Sequence, residues 1–289
     1  VDESTLKTWR TVTEADDWQS TPMVSTVNSA ASRTLATLGS RPRIGALNLQ
    51  FSTGWNETTD FQKGLFSKQW GPASWKDAIL QGSHLYVSTP LYKQPNQTMA
   101  NQRDWTATDL ESLPSSILPV TQYKPAGDHT TYNRLYTHWR NHSAFEYYRV
   151  AWRNMAPLTG ERTLVPSIIP TGTAHLQSVT STSTPTSSVH YIPMIAGVSS
   201  SLISDFMIRA AGRGHINGAD FSLLPALDTS HPLTTAVILR ILRLNCISDA
   251  YTSLWAECWH ESFVTDSPIL ERYDAVSYTH LTLPTIYSV

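Results

Sequence analysis

Arg149 and Arg153 are the residues whose type and spacing best suit recognition of an anionic ligand. They belong to a run that alternates with a period of two, in which Tyr148, Val150 and Trp152 fall on one side of an extended strand. Because burial of that aromatic side would turn the other side to solvent, both guanidinium groups are expected to point outward. A planar guanidinium binds phosphate oxygens and guanine edges through paired hydrogen bonds.

Lys124 and Arg162 are further cations that the sequence places near this strand, and they would widen the same basic surface. The competing interpretation is a solvated sheet face on which Glu146 and Glu161 neutralise the arginines. Alternation along a strand does not distinguish the two, so both stay open at this stage.

Residues 93–103 form a polar, amide-rich segment that begins at Lys93 and ends at Arg103. Asn, Gln and Arg are the side chains that bind adenine and guanine edges through two hydrogen bonds. A solvated loop has the same composition, so binding and plain solvation remain alternatives here as well.

Motifs of known catalytic chemistry are missing from the sequence. It contains no P-loop, no His-Glu-x-x-His, no Gly-x-Ser-x-Gly and no Asn-Pro-Pro-Tyr-type tetrapeptide. The ten histidines are scattered without the spacing of metal ligands. We therefore predict no catalytic residue, no metal site and no cofactor site in this chain.

Hydrophobic periodicity and Pro/Gly positions predict an α+β fold, with a mixed sheet, flanking helices and long irregular loops. Residues 1–43 are predicted as a linker and helix, 44–228 as an α+β domain, and 229–262 as a long packing helix. Trp152 and Ile168 are expected in the core, on two paired strands joined by a short Pro/Gly connection. Other predicted strands are 44–51, 78–92 and 190–193, other predicted helices are 23–38, 104–113 and 196–209, and residues 178–188 are predicted as a loop.

Composition limits the class of protein. Hydrophobic residues make up 40% of the 289 positions, which supports a substantial core, and the net charge of −2 means that any nucleic-acid contact needs a local basic face. Two cysteines, Cys246 and Cys258, do not suggest a disulfide framework and suit a reducing cytoplasm. The chain shows no apolar run of about 20 residues, so no membrane partner is expected.

Both ends of the sequence suggest a piece of a longer chain. Val1 opens it in place of an initiator methionine, and residues 276–285 read as one translated frame of a transposon-based sequencing adapter. We therefore expect residues 276–289 to be foreign to the protein and to have no role in its fold.

Three runs resemble the downstream part of large bacterial class I DNA methyltransferases that modify the exocyclic amine of adenine in restriction–modification or phage-defence systems. They are YRVAWR at 148–153, TGERTLVPSIIP at 159–170 and GTAH at 172–175, and the overall resemblance covers roughly residues 1–260. In that family the resembling segment follows the catalytic domain, in or beside the part that recognises DNA. The run Ser199-Ser-Ser201 departs from the Asn-Ser that is usual at that point.

The resemblance implies a DNA-recognition portion of a site-specific adenine-N6 methyltransferase, with a specificity-domain-like fold. The partners would be double-stranded DNA and the upstream methyltransferase domain of the same chain, which would use S-adenosylmethionine. The alternative is a non-catalytic module that docks the methyltransferase to partner defence proteins. The predicted DNA-binding residues are Arg149, Arg153, Arg162, Lys124, Lys93 and Arg103.

Overall fold

The structure, a computed structural model, describes residues 3–25 and 28–266, so the predicted adapter-derived tail lies outside the described residues. The helices are α1 (Glu3–Thr13), α2 (Ser29–Gly39), α3 (Thr59–Gln62), α4 (His129–Leu135), α5 (Tyr191–Ser200), α6 (Leu202–Ala210), α7 (Gly218–Ser222), α8 (Thr234–Asn245) and α9 (Thr252–Cys258). The strands are β1 (Gln50–Ser52), β2 (Phe66–Lys68), β3 (Ile79–Leu80), β4 (Lys93–Pro95), β5 (Trp105–Ala107), β6 (Tyr123–Pro125), β7 (His138–Trp139), β8 (His142–Ser143), β9 (Arg149–Arg153), β10 (Pro166–Ile169), β11 (Ala174–His175) and β12 (Val179–Ser183). The α+β class is confirmed.

A four-stranded antiparallel sheet in the order β1-β12-β9-β10 forms the centre of the molecule. The predicted pairing of two strands around Trp152 and Ile168 is confirmed, since β9 and β10 are neighbours with Val150 opposite Ile168. The remaining strands form two-stranded pairs, of which β3 with β11 is parallel.

Helices cover one face of this sheet, which we call the helix-covered face. Val150, Trp152 and Ile168 lie on it and are fully buried against α5, α7 and α8. Trp152 stacks on Phe221 with ring centroids 3.9 Å apart, and its indole nitrogen donates to the carbonyl of Ile216 at 2.9 Å. Burial of this much apolar area supplies the main driving force for folding.

The opposite face, which we call the loop-covered face, is buried as well, beneath residues 79–92 and their neighbours. Odd-numbered residues of β9 face it, because Ala151 packs there and not with the helices. A small apolar cluster lies between the two layers: Leu80, Leu85, Ala151, Ile169 and Val179. The sheet is therefore a middle layer, and neither face is free to carry outward-pointing charges.

The outer edge of β10 is closed by side chains from the C-terminal segment. The backbone N–H of Ile168 donates to Asn245 Oδ1 at 3.0 Å, and its carbonyl accepts from Tyr251 Oη at 2.7 Å. These contacts satisfy polar groups that an edge strand otherwise leaves unpaired. They also explain why the predicted long packing helix is divided into α8 and α9, with the break next to Asn245.

The prediction of a loop at 178–188 is wrong for residues 179–183, because β12 is a fully buried strand inside the sheet, whereas residues 184–188 are a loop as predicted. Small hydroxyl side chains are tolerated there since they bond to neighbouring backbone: Thr182 donates to the carbonyl of Gln50 and Ser183 to that of Tyr148, both at 2.9 Å. The structure also corrects the helix predicted at 104–113, which contains β5, and the helix predicted at 196–209, which breaks at Ser201. Three predicted strands differ as well: 44–51 opens with a 3-10 turn (Ile44–Leu47), 190–193 begins α5, and 78–92 is a strand only at Ile79–Leu80 before a 3-10 turn (Gly82–His84).

The two N-terminal helices pack together on α6 through a separate apolar cluster that contains Trp9, Leu35 and Met207. Within residues 3–25 and 28–266, no single helix combines the length and hydropathy needed to cross a bilayer.

Candidate nucleic-acid interface

Arg149 is buried, so the prediction that its guanidinium points outward is wrong. Its side chain is 0% exposed and donates to the carbonyl of Thr173 and, at 3.5 Å, to the hydroxyl of Tyr136. The physical reason is the second layer over the loop-covered face, which alternation within one strand cannot reveal. Burial also lowers the pKa of Arg149, and no carboxylate pairs with it in the part of the chain that the structure describes.

Arg153 is half-buried, and two of its N–H groups bind backbone carbonyls of the covering loop, which corrects the prediction of an outward guanidinium. Its Nε donates to the carbonyl of Gly82 at 2.8 Å and its Nη2 to that of Leu85, which ties the covering loop to β9. The guanidinium carbon also lies over the ring of Tyr92, 5.9 Å from the centroid. Burial lowers the pKa of Arg153, and the adjacent phenols of Tyr92 and Tyr86 oppose that shift.

Tyr86 and Tyr92 form a stacked pair beside Arg153, with centroids 4.7 Å apart and planes inclined by 26°. Lys93 completes the arrangement, because its ammonium lies 4.9 Å from the Tyr92 centroid. Two of the six predicted cations, Lys93 and Arg153, therefore meet at one aromatic ring. We call Tyr86, Tyr92, Lys93 and Arg153 the tyrosine cluster.

Backbone hydrogen bonds position the two tyrosines. Tyr86 and Thr89 exchange two of them, at 2.8 and 3.1 Å, across a tight turn in which Ser88 has a φ of 65°. The N–H of Ser88 donates to the carbonyl of Pro166 at 2.8 Å, which anchors the turn to β10. Tyr92 is held in turn by its N–H bond to the carbonyl of His84, also at 2.8 Å. The rings are thus presented by a rigid loop.

Arg162 is mainly structural. Its Nη2 donates to the carbonyls of Ser200 and Ser201 at 2.8 and 3.3 Å, and its Nε lies 3.4 Å from a carboxylate oxygen of Asp205. The same carboxylate accepts from the backbone N–H groups of Thr163 and Leu164. Arg162 therefore caps the end of α5 and helps to join it to the strand connection, and only 14% of its side chain is exposed.

Lys93 and Arg103 lie on the β4–β5 hairpin, whose amide-rich tip is ordered by one carboxylate. Asp104 accepts from the Asn96 amide at 2.7 Å, from the Thr98 hydroxyl at 2.6 Å and from the Ala100 N–H at 2.9 Å. These bonds lower the pKa of Asp104, with the bond from Asn96 as the largest cause. Part of the amide content therefore shapes the hairpin, while Arg103 is exposed and Lys93 is half-exposed.

Lys124 lies apart from the hairpin, on β6 in the two-stranded pair with β2, and is half-exposed.

The competing interpretation, in which Glu146 and Glu161 neutralise the arginines, is also wrong. Glu161 accepts from the Tyr86 hydroxyl at 3.1 Å, and Glu146 binds the Ser143 N–H and the His142 ring. Neither glutamate forms an ion pair with Arg149 or Arg153 among the described residues.

The two tyrosines of the cluster were not among the predicted site residues. They lie in the segment predicted as one strand at 78–92, and their spacing in the sequence does not predict that the two rings stack. The signal in the sequence was adjacency, since Tyr92 directly precedes Lys93.

No group of three or more His, Cys, Asp or Glu side chains is placed to hold a metal ion in residues 3–25 and 28–266.

Neither the protein-family models nor the curated protein sequences give a match to this chain. Cations held beside an aromatic pair on a surface loop suit a polyanion, because the rings stabilise the cations and the cations attract phosphate.

Proposed function

We propose that this chain is the DNA-recognition portion of a site-specific adenine-N6 DNA methyltransferase, working in the cytoplasm. S-Adenosylmethionine binding and methyl transfer would belong to a methyltransferase domain upstream of these residues. The observation that carries the proposal is the convergence of Lys93 and Arg153 on the stacked Tyr86–Tyr92 pair. The resemblance of residues 148–175 to the downstream part of such enzymes supports it.

Within this proposal the residues divide by role. Lys93 contacts backbone phosphate as a point charge, because its ammonium lies at the surface beside the ring of Tyr92. Arg103, exposed on the hairpin tip, is placed to reach a base edge or a phosphate. Arg153 orients the cluster through its carbonyl contacts, whereas Arg149 and Arg162 stabilise the scaffold.

The test is duplex binding by the full chain, followed by fluorescence anisotropy at several salt concentrations. Lys93→Gln and Arg103→Gln remove one surface charge each, and Arg33→Gln, on the exposed side of α2, is a matched control. Removal of one phosphate-binding charge should reduce the slope of log affinity against log salt by about one unit. If Arg103 reads a base, its variant should instead lose about 1–3 kcal/mol at one position of the target sequence.

Equal affinity and equal salt slope in Lys93→Gln, Arg103→Gln and the control would remove the tyrosine cluster from the DNA interface.

A second candidate function, the docking module, is favoured by Leu202 and Ile203, adjacent residues that are 72% and 47% exposed at the start of α6. That function predicts that Leu202→Ser abolishes capture of a partner protein without changing duplex affinity.

A further inference from the structure

A second basic region, separate from the tyrosine cluster, is an open cleft of about 550 Å³. It is bordered by α4, by the β7–β8 hairpin and by residues 171–172. None of the tyrosine-cluster residues lines it. Any ligand of this cleft would therefore be held by a different set of side chains.

The charges of the cleft are unbalanced. Lys76 and Arg134 line it, are exposed, and form no ion pair among the described residues. One carboxylate, Glu146, also lines it, but its two oxygens are engaged by the Ser143 N–H at 3.0 Å and the His142 ring at 2.9 Å. Two free cations against one carboxylate leave the cleft with an excess of positive charge, which attracts an anion.

Neutral hydrogen-bond donors accompany these cations. The amide side chains of Asn133 and Asn141 and the rings of His129 and His138 all line the cleft. Amides and imidazoles donate to phosphoryl oxygens as readily as to base edges. A volume of about 550 Å³ exceeds that of a lone carboxylate and accommodates a phosphoryl group together with the sugar that carries it.

The wall of the cleft is shaped around Lys76. Gly172 has a φ of +85°, and a Cβ at that position would lie 2.8 Å from Lys76 Cγ. A larger residue would therefore be strained and would push the lysine stem away. The backbone N–H of Gly172 is bonded to the carbonyl of Phe145 at 2.6 Å, so the wall is fixed at a second point.

A buried cation lies directly behind this wall. Arg149 donates to the carbonyl of Thr173, the neighbour of Gly172, and to Tyr136, whose ring stacks 3.9 Å from that of Phe145, a lining residue. No carboxylate among the described residues neutralises Arg149, and its Nε has no hydrogen-bond partner. An uncompensated charge in a low-dielectric layer adds to the positive potential of the cleft.

We propose that this cleft binds a phosphoryl oxyanion, with Lys76 and Arg134 as the charged contacts and Asn133 and Asn141 as neutral donors. The phosphoryl group belongs either to a nucleic-acid backbone or to a free phosphoanion, and the shared chemistry is the same. The site stands independently of the tyrosine cluster, because it has its own cations and its own walls.

The first arm of the experiment is calorimetric titration of the full chain with inorganic phosphate at constant ionic strength. Lys76→Gln and Arg134→Gln should each weaken phosphate binding about threefold, in line with the worth of an exposed charge pair. Arg33→Gln, which removes the same charge on the exposed side of α2, should bind phosphate like the parent chain. Circular dichroism of each variant separates loss of the site from loss of the fold.

The second arm measures duplex DNA at several salt concentrations and identifies the source of the phosphate. A lower affinity and a salt slope reduced by about one unit in Lys76→Gln and Arg134→Gln support a backbone phosphate. Unchanged duplex binding with weakened inorganic phosphate binding supports a free phosphoanion. If both variants keep both affinities, the cleft is not a phosphoryl site, whatever the tyrosine-cluster variants do.

Discussion

The two faces of the central sheet are both buried, yet they bury different chemistry. On the helix-covered face, Val150, Trp152 and Ile168 pack against apolar helices. On the loop-covered face, Arg149 and Ser181 are equally buried, Arg149 against Tyr136 and Thr173, and both close to His175. The strand β9 thus supplies apolar side chains to one face and, at Arg149, a buried charge to the other.

This difference between the two faces implies that different interactions stabilise the layers that cover them. Apolar burial is non-directional, so the helix-covered face tolerates small shifts and loses stability in proportion to the volume removed. A buried polar layer depends on individual hydrogen bonds, since each unsatisfied group costs about 1–3 kcal/mol. Substitutions on the two faces should therefore differ in kind as well as in size. Three substitutions, from the largest expected effect to the smallest, and one pH series test this.

Trp152→Ala should have the largest effect, because it removes the ring that stacks on Phe221 and leaves a cavity. We expect a loss of about 3–5 kcal/mol in the free energy of unfolding, measured by urea denaturation. Trp18→Ala, at a site that is 59% exposed, is the matched control and should change stability by less than about 0.5 kcal/mol. A loss below about 1 kcal/mol at Trp152 would contradict the description of this face as the main core.

Arg149 offers the corresponding test of the loop-covered face. Arg149→Ala should cost about 2–4 kcal/mol, because it removes a buried stem and leaves the Thr173 carbonyl without its donor. Arg149→Met keeps the volume and removes the unpaired buried charge, so its stability should stay within about 1 kcal/mol of the parent chain. If Arg149→Met lowers the free energy of unfolding as much as Arg149→Ala does, the guanidinium itself stabilises the fold. The two faces would then differ in the type of interaction that stabilises them as well as in packing.

Ser181→Ala tests a single hydrogen bond within the polar layer. The Ser181 hydroxyl lies 2.7 Å from His175 Nε2, and both groups are fully buried. Leaving that ring nitrogen unpaired should cost about 1–3 kcal/mol. Ser187→Ala, on the exposed segment after β12, should be neutral within about 0.5 kcal/mol. Equal effects at the two serines would show that the buried bond contributes nothing.

Acid should weaken the loop-covered layer before it affects the apolar one. Burial is the largest cause that lowers the pKa of His84 to about 4 and that of His175 to about 3, from 6.5. Since the folded state resists protonation that the unfolded state accepts, their contribution is present above pH 6.5 and is lost as pH falls towards 4. The slope is about 1.4 kcal/mol per pH unit for each histidine.

Urea midpoints at about pH 7, 6 and 5 measure this slope. The lowered pKa values of Asp17, Asp104, Asp128 and Asp228 start from 3.8, so the loss of these carboxylates' contributions lies below that range. His84→Gln should remove about half of the slope. Stability that is constant from about pH 7 to pH 5 would mean that both rings accept protons in the folded state.

Local pattern predicted the parts of the fold that depend on local geometry. The alternation of Tyr148, Val150 and Trp152 correctly identified a strand and its apolar side, because successive side chains of a strand point to opposite faces. The Pro/Gly positions correctly indicated that this strand pairs with the one that contains Ile168. The same alternation failed for Arg149 and Arg153, since it groups residues by side without stating what covers that side.

Composition was a weaker guide than pattern. The Ser/Thr-rich stretch after Ser178 reads as solvated, yet β12 is paired on both sides inside the sheet, where its hydroxyls bond to backbone and to His175. Asp104 looked like the start of a helix, but it orders a hairpin tip instead. In both cases the hydrogen-bond partner that determines the local structure comes from another segment of the chain or from the other side of a turn.

By itself, the sequence determined the α+β class, the apolar register of the two organising strands and the presence of cations at Lys93, Arg103 and Arg153. Only the tertiary structure decided which cations remain at the surface, that Lys93 and Arg153 meet at Tyr92, and that Lys76 and Arg134 border one cleft. The physical reason is that burial and charge balance depend on the segments that pack over a residue. Those segments are distant in the chain, so no local pattern encodes them.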